Sequence, residues 1–296
     1  MIPFRKLKDE TLISIISAGG LMFAGMEQKK VDIVVDEAIC KGVKFFDVAP
    51  TYGDAEVKLG RALKGRREKV LLSCKTVARD KKGALSELRQ SLKNLKTDYF
   101  DFYVMHGIRD VKKDVEVACS NDGVLATAIE AKKNGVVLRI GFSAHTEESA
   151  LAALDAFDFD FFMFPVNIFC YMKSGFGEKV IDTAKKRNID IIGIKVLAFQ
   201  RWPNKSDRAK YPNCWYQPIE DREIATAALA WALQQGLVSA IPPADIKIFK
   251  DTLDIAIDRP LLNLEMMQRI KNLVDGITPV FPLKEEDLKP SNQLKN

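Results

Sequence analysis

Eight times along this chain a short apolar run is followed by a segment of helical periodicity, and that alternation leaves few folds open. The runs are Ile13–Ser17, Val43–Ala49, Val70–Cys74, Phe100–Met105, Arg139–Ser143, Phe161–Phe164, Ile191–Val196 and Val238–Ile241. They are apolar on successive residues, as in parallel strands covered on both faces. The helical segments fall near 28–41, 55–65, 84–97, 123–134, 147–157, 176–187, 220–235 and 245–257. Gly42, Gly135 and Gly236 stand where C-terminal caps are expected, and Thr146 before Glu147 and Glu148 reads as an N-cap with acids in the first turn. No linker interrupts the series. Residues 1–296 are therefore expected to form one α/β domain, a (β/α)8 TIM barrel with an extra C-terminal helix near Asn263–Val274. A doubly wound sheet is the alternative, disfavoured because no GxGxxG follows the first strand.

One connection is unusual. From Phe199 to Ile219, about 20 residues separate the seventh strand from its helix, which is long for a compact domain. Arg201, Trp202, Arg208, Tyr211, Trp215 and Tyr216 lie in it, an aromatic density that favours an ordered lid over a disordered linker.

Composition excludes several classes. The net charge is +5, but Lys and Arg alternate with Asp and Glu, so no nucleic-acid partner is expected. The five cysteines are scattered without a CxxC pair, which argues against a zinc or iron–sulfur site and fits reduced thiols in a cytoplasmic protein. Arg5, Lys6 and Lys8 before the apolar stretch Leu12–Gly25 resemble a signal peptide, but Asp9, Glu10 and Gly19-Gly20 interrupt the pattern. No apolar run approaches the roughly 20 residues of a membrane span. The sequence carries no sign of oligomeric state.

In such a barrel the loops after the strands form the active-site face. Asp47 ends the second apolar run and Tyr52 lies in the turn after it. Lys75 follows the third run and His106 the fourth. Singly, each has a bland reading: a turn cap, a surface anchor, a solvated lysine, a core histidine. Together on one rim they suit proton donation to a carbonyl. A phenol has a pKa near 10 and is a weak acid at neutral pH, but a nearby ammonium stabilises its anion. Asp47 would keep Lys75 charged and oriented, and His106 would place the carbonyl oxygen.

These residues sit in longer patterns. Phe45-Phe46-Asp47-x-Ala49-Pro50-x-Tyr52-Gly53 is followed by Glu56 and Gly60, and Ser91-Leu92-x-x-Leu95-x-Thr97-Asp98-Tyr99-x-Asp101-x-Tyr103 leads to His106-Gly107. Over nearly its whole length the sequence resembles the aldo-keto reductases, in particular a bacterial-type branch with an "MKVL" or "MKPL" element, here Lys195-Val196-Leu197, without the iron–sulfur domain some of its members carry. The resemblance implies a barrel that binds NADP(H), with NAD(H) as the alternative, and transfers hydride to an aldehyde or ketone. It implies Tyr52 as the acid, Asp47 and Lys75 as its tuning pair, and His106 as the orienting residue. It also implies a cofactor site including Gly20, Met22, Ser143, Asn167, Lys195 and Leu197.

The segment after the eighth strand departs from the family pattern. Pro243, Ala244 and Asp245 replace the usual phosphate-binding residues, and Thr252-Leu253 replaces Glu-Asn. Lys247 or Lys250, or else Arg201 or Arg208 from the long connection, are the expected substitutes for 2′-phosphate binding. Two other functions are open to such a sequence: a binding or sensor protein with weakened cofactor affinity, and a Schiff-base aldolase using Lys75 or Lys195. The second leaves Asp47 and Tyr52 unexplained.

Overall fold

The computed structural model describes residues 1–284 and 287. A hairpin of β1 (Phe4–Lys6) and β2 (Leu12–Ser14) precedes the barrel. The barrel strands are β3 (Ala18–Gly19), β4 (Phe45–Val48), β5 (Leu71–Thr76), β6 (Phe102–Ile108), β7 (Ile140–Ala144), β8 (Phe161–Pro165), β9 (Asp190–Ile194) and a last strand, Ser239–Ile241. They form one sheet of eight strands in sequence order, each paired parallel with the next. Ser17 N–H donates to Ala240 O (2.9 Å) and Ala240 N–H donates to Ile15 O (2.9 Å), which joins the first strand to the last.

Helices α1 (Gln28–Cys40), α2 (Ala55–Ala62), α3 (Lys81–Leu95), α4 (Val124–Lys133) and α5 (Glu147–Ala156) cover the outside of the first strands. A short α6 (Ile168–Ser174), α7 (Glu178–Arg187), α8 (Arg222–Gln234), α9 (Ile246–Ile257) and α10 (Leu264–Val274) complete the chain order. The barrel strands and the expected helices fall within a few residues of the sequence reading, with one correction. Of the expected first strand, Ile13–Ser17, Leu12–Ser14 turns back against β1, and Ala18–Gly19 makes the contact with β4. The physical reason is closure of the barrel floor: Leu7 and Ile13 from the hairpin pack with Phe45, Phe102 and Phe161 inside it.

Period-two alternation decides which side chains face the axis. Phe45, Leu71, Phe102, Val104, Phe161, Met163 and Ile192 belong to the interior cluster, whereas Phe46, Val48, Leu72, Cys74, Tyr103 and Met105 pack outward against helices. Phe102 is central to the interior: its ring meets Phe45 edge-on at 4.9 Å and Phe161 edge-on at 4.8 Å.

The long connection packs on itself and against the barrel. It leaves and returns as an antiparallel pair, β10 (Ala198–Gln200) with β11 (Gln217–Pro218). The final barrel strand is therefore β12 (Ser239–Ile241). Between β10 and β11, Trp202 Nε1 donates to Cys214 O (3.0 Å), and Tyr211 and Cys214 form a small cluster with Ile248 of α9.

Phe102→Ala is expected to cost about 3–5 kcal/mol, since it removes the ring shared by two aromatic contacts in a filled interior. Equilibrium unfolding in urea measures it, and a loss under about 1 kcal/mol would contradict this account of the core.

Candidate active site

Strand register brings the polar strand ends together. Asp47 pairs with Ser73 across β4 and β5, so these two inward-facing residues are neighbours at one level. Lys75 is two residues further along β5 on the same face and is in register with Val104. His106 is two residues beyond Val104 on β6. The same alternation that buries Phe45, Leu71 and Phe102 thus delivers Asp47, Lys75 and His106 to the C-terminal end of the barrel. Tyr52 comes from the turn after β4, which is fixed by a 3.0 Å hydrogen bond from Tyr52 N–H to Ala49 O and by Gly53 at φ 59°.

These four side chains meet. Lys75 Nζ donates to Tyr52 Oη at 3.0 Å and to Asp47 Oδ2. The other Asp47 oxygen accepts from Ser73 Oγ at 2.9 Å. The rings of Tyr52 and His106 lie edge to face, 5.8 Å apart. Asp47 and Lys75 are only 2% and 5% exposed, so their ion pair is held away from water.

The protonation states follow from this packing. Burial pushes the Lys75 ammonium down, but Asp47 and then Tyr52 push it up more, and its pKa stands above that of an ordinary lysine. Lys75 therefore stays charged and is unsuited to be a Schiff-base nucleophile. Burial raises the Tyr52 phenol; Lys75 lowers it, and burial wins, so the free site holds a protonated tyrosine. His106 is driven down to about 2 by burial and by neighbouring cations, Lys75 first among them, so its imidazole is neutral.

A cavity of about 80 Å³ lies over this group. Tyr52, Lys75 and His106 line one part of it, and Asn213, Trp215 and Tyr216 of the long connection close the other. Ser143 and Lys195 also reach it. Ser143 Oγ accepts the Gly107 N–H at 2.7 Å and keeps its own proton to donate. Lys195 adopts a left-handed backbone (φ 60°), which is uncommon for a residue with a Cβ. Burial, then Lys75, lowers its ammonium to about 8, and no described carboxylate pairs with it.

The other residues expected at the cofactor do not line this cavity. Gly20 is packed against β4, where a Cβ would stand 2.8 Å from Asp47 O; the residue there is glycine for that close approach. Met22 and Leu197 are buried in the core between strands and helices, whereas Leu21 lines the cavity. Asn167 uses its whole amide internally: Oδ1 caps α6 at Cys170 N (2.9 Å), and Nδ2 donates to Lys195 O (3.0 Å) and Ala198 O (2.7 Å). It thereby holds the unusual Lys195 backbone in place. Lys247 pairs with Asp251, Lys250 pairs with Glu37 of α1, and Asp245 caps α9 by accepting from Ile248 N–H (3.0 Å).

Sequence reasoning passed over Ser73, although the spacing Ser73-x-Lys75 places both on one face of a strand. His145, after the fifth strand, is likewise not assigned from the sequence. The Nδ1 atoms of His106 and His145 are buried without a hydrogen-bond partner in the protein, and both rings line the cavity. Among the described residues no group of three or more His, Cys, Asp or Glu could hold a metal ion, and no helix is long and apolar enough to cross a membrane.

Comparison with known proteins gives concordant results. The sequence model of the "Aldo/keto reductase family" matches residues 16–275. Aldo-keto reductase YhdN of Bacillus subtilis is 34% identical over 102 residues, 30% of this chain and 31% of that protein. Methylglyoxal reductase DkgB of Salmonella typhimurium is 28% identical over 240 residues, 77% of this chain and 82% of that protein. The chain spans less than half the length of its two Bacillus subtilis relatives, 31% and 43%. Among solved structures, the holo form of aldo-keto reductase AKR11C1 from Bacillus halodurans superposes with a TM-score of 0.72 at 18% identity, covering 98% of this chain and 100% of the other.

Ser73→Ala removes the hydroxyl that satisfies one oxygen of a buried carboxylate. We expect it to lower stability by about 1–3 kcal/mol with the fold retained. Urea unfolding alongside circular dichroism checks both, and an unchanged midpoint would mean that Asp47 does not depend on Ser73.

Proposed function

Because this chain belongs to the aldo/keto reductase family, and is therefore an oxidoreductase of carbonyl compounds, we propose that it reduces an aldehyde or ketone to the alcohol with Tyr52 as proton donor. The observation that carries this reading is the contact of Lys75 Nζ with Tyr52 Oη at 3.0 Å, with Asp47 behind the lysine.

The roles follow from the protonation states. Protonated Tyr52 gives its proton to the carbonyl oxygen as negative charge develops there, and Lys75 stabilises the phenolate left behind. Asp47 holds Lys75 in place and charged. Neutral His106 orients the carbonyl oxygen by a hydrogen bond without adding a competing positive charge. The apolar interior beneath these residues keeps water from the Asp47–Lys75 pair.

The family uses a nicotinamide cofactor, and we take it to be NADP(H), with NAD(H) as the alternative. Bound reduced nicotinamide supplies the hydride. The groups around the cavity suit it chemically: Lys195 offers an ammonium without a carboxylate partner, Ser143 offers a hydroxyl, and orphaned imidazole nitrogens stand nearby. The available space does not, since about 80 Å³ is well below the ~300 Å³ at which small-molecule sites begin. Asn213, Trp215 and Tyr216 must move for it to bind, so the long connection acts as a lid. Asn167 serves indirectly, by shaping the Lys195 turn.

Two outcomes are expected. Tyr52→Phe should lower kcat for aldehyde reduction by roughly 10²–10⁴-fold while the cofactor Kd stays within about twofold; retained turnover would reject Tyr52 as the donor. Separately, titration by quenching of tryptophan fluorescence should give NADPH and NADH affinities within about tenfold of each other, because exposed Lys247 and half-buried Lys250 are already paired with acids. Both affinities should fall between pH 7 and pH 9. The Lys195 ammonium binds phosphate while protonated and loses its proton above about 8. Lys195→Met should bind more weakly and lack that pH dependence. A thousandfold NADPH preference, or a pH dependence unchanged in Lys195→Met, would contradict this assignment of the anchors.

A further inference from the structure

A second cavity, of about 690 Å³, adjoins the first, and the two share His145 and Trp215 in their walls. Its size is ordinary for a small-molecule site. Three features define its chemistry. The first is an aromatic wall centred on Phe281, which stacks on Phe176 (5.2 Å between centroids, 15° between planes) and on His145 (5.9 Å, 24°) and meets Trp215 edge-on (5.8 Å, 87°). These rings come from four separate parts of the chain, so the wall is a product of the fold.

The second is a pair of guanidinium groups. Arg109, after β6, and Arg201, after β10, both line this cavity, and neither forms an ion pair with a described residue. Two acids, Glu147 and Glu148, line it as well, but no ion pair joins them to the arginines. Both lie in the first turn of α5, where the helix N-terminus favours acids, and Glu147 Oε1 accepts the Gly177 N–H at 2.6 Å. The third is the sign of the field. The charged groups acting on His145 are Lys195, Arg109 and Lys75, all cations, and burial together with them drives this histidine down to about 3. His145 is thus a neutral partition between the two cavities.

We infer that the substrate is an aldehyde with a flat, apolar body and a terminal carboxylate. The body lies against Phe281, Phe176 and Trp215, the carboxylate faces Arg109 and Arg201, and the aldehyde passes His145 toward Tyr52 and His106. This rests on the reductase reading above and adds a substrate class to it. Arginine suits the role because its planar fork matches a carboxylate, and at the cavity mouth it can act without the desolvation cost of a buried cation.

The test compares 4-carboxybenzaldehyde with its neutral analogue, methyl 4-formylbenzoate, in the wild-type protein and in an Arg109→Gln/Arg201→Gln double variant. Binding of unreactive terephthalate is followed in parallel by calorimetry. In the wild type, kcat/KM for the acid should exceed that for the ester by about tenfold, through KM. In the double variant that ratio should fall to near unity, with a similar loss of terephthalate affinity. An ester reduced as well as the acid by the wild type, or a ratio unchanged in the variant, would overturn the inference. So would a rise confined to the KM for NADPH, which would move the arginines to the cofactor. If terephthalate binds through the arginines but neither aldehyde is reduced, the anion site stands and the reductase reading fails. If the ester is reduced and terephthalate does not bind, the reverse holds.

Discussion

The ion pair between Asp47 and Lys75 is the constraint on which the rest of the site depends. Two charges removed from water are costly unless their remaining hydrogen-bonding capacity is used. Here it is: Asp47 accepts from Ser73 and from Lys75, and Lys75 donates to Asp47 and to Tyr52. The barrel beneath is filled by Phe45, Phe102, Phe161 and Met163, so solvent does not approach from below. The arrangement exists because β4 and β5 pair with Asp47 opposite Ser73. A slip of one residue would turn Lys75 outward among the helices.

The same burial that makes the pair effective tunes its surroundings. Tyr52 keeps its proton although an ammonium lies 3.0 Å away, because burial outweighs that ammonium. His106 and His145 stay neutral for the related reason that a buried imidazolium beside lysine and arginine is unfavourable. Lys195, in a left-handed turn held by Asn167, is the one lysine of the site whose pKa is brought toward neutrality. The result is a small electropositive chamber in which the one carboxylate among the described lining residues, Asp47, is already taken by Lys75, which suits anionic ligands on either side of the carbonyl carbon.

Much of this is written locally in the chain. Strand and helix positions follow from hydrophobic periodicity, and Asp47, Lys75 and His106 follow from one rule, a polar residue at the end of an apolar run. The residues around the cofactor were harder to place. Met22 and Leu197 sit among core residues, and on α9 Lys247 is held by Asp251 one turn on and Lys250 by Glu37 of α1, because side chains turn according to the partners that the fold gives them. Asn167, expected at the cofactor, sits one step back from the cavity, as the clamp on Lys195.

The sequence by itself determined the barrel, its order of strands and helices, and which four polar residues stand at its rim. Those properties depend on nearest neighbours and on a period of two, and both survive in a linear string. Only the tertiary structure decided that Ser73 completes Asp47, that the Asn213–Tyr216 segment closes the cavity, and that Arg109 and Arg201 share a second one with Phe281. Those contacts join residues far apart in the chain, whose side-chain directions are fixed by register and packing rather than by local pattern.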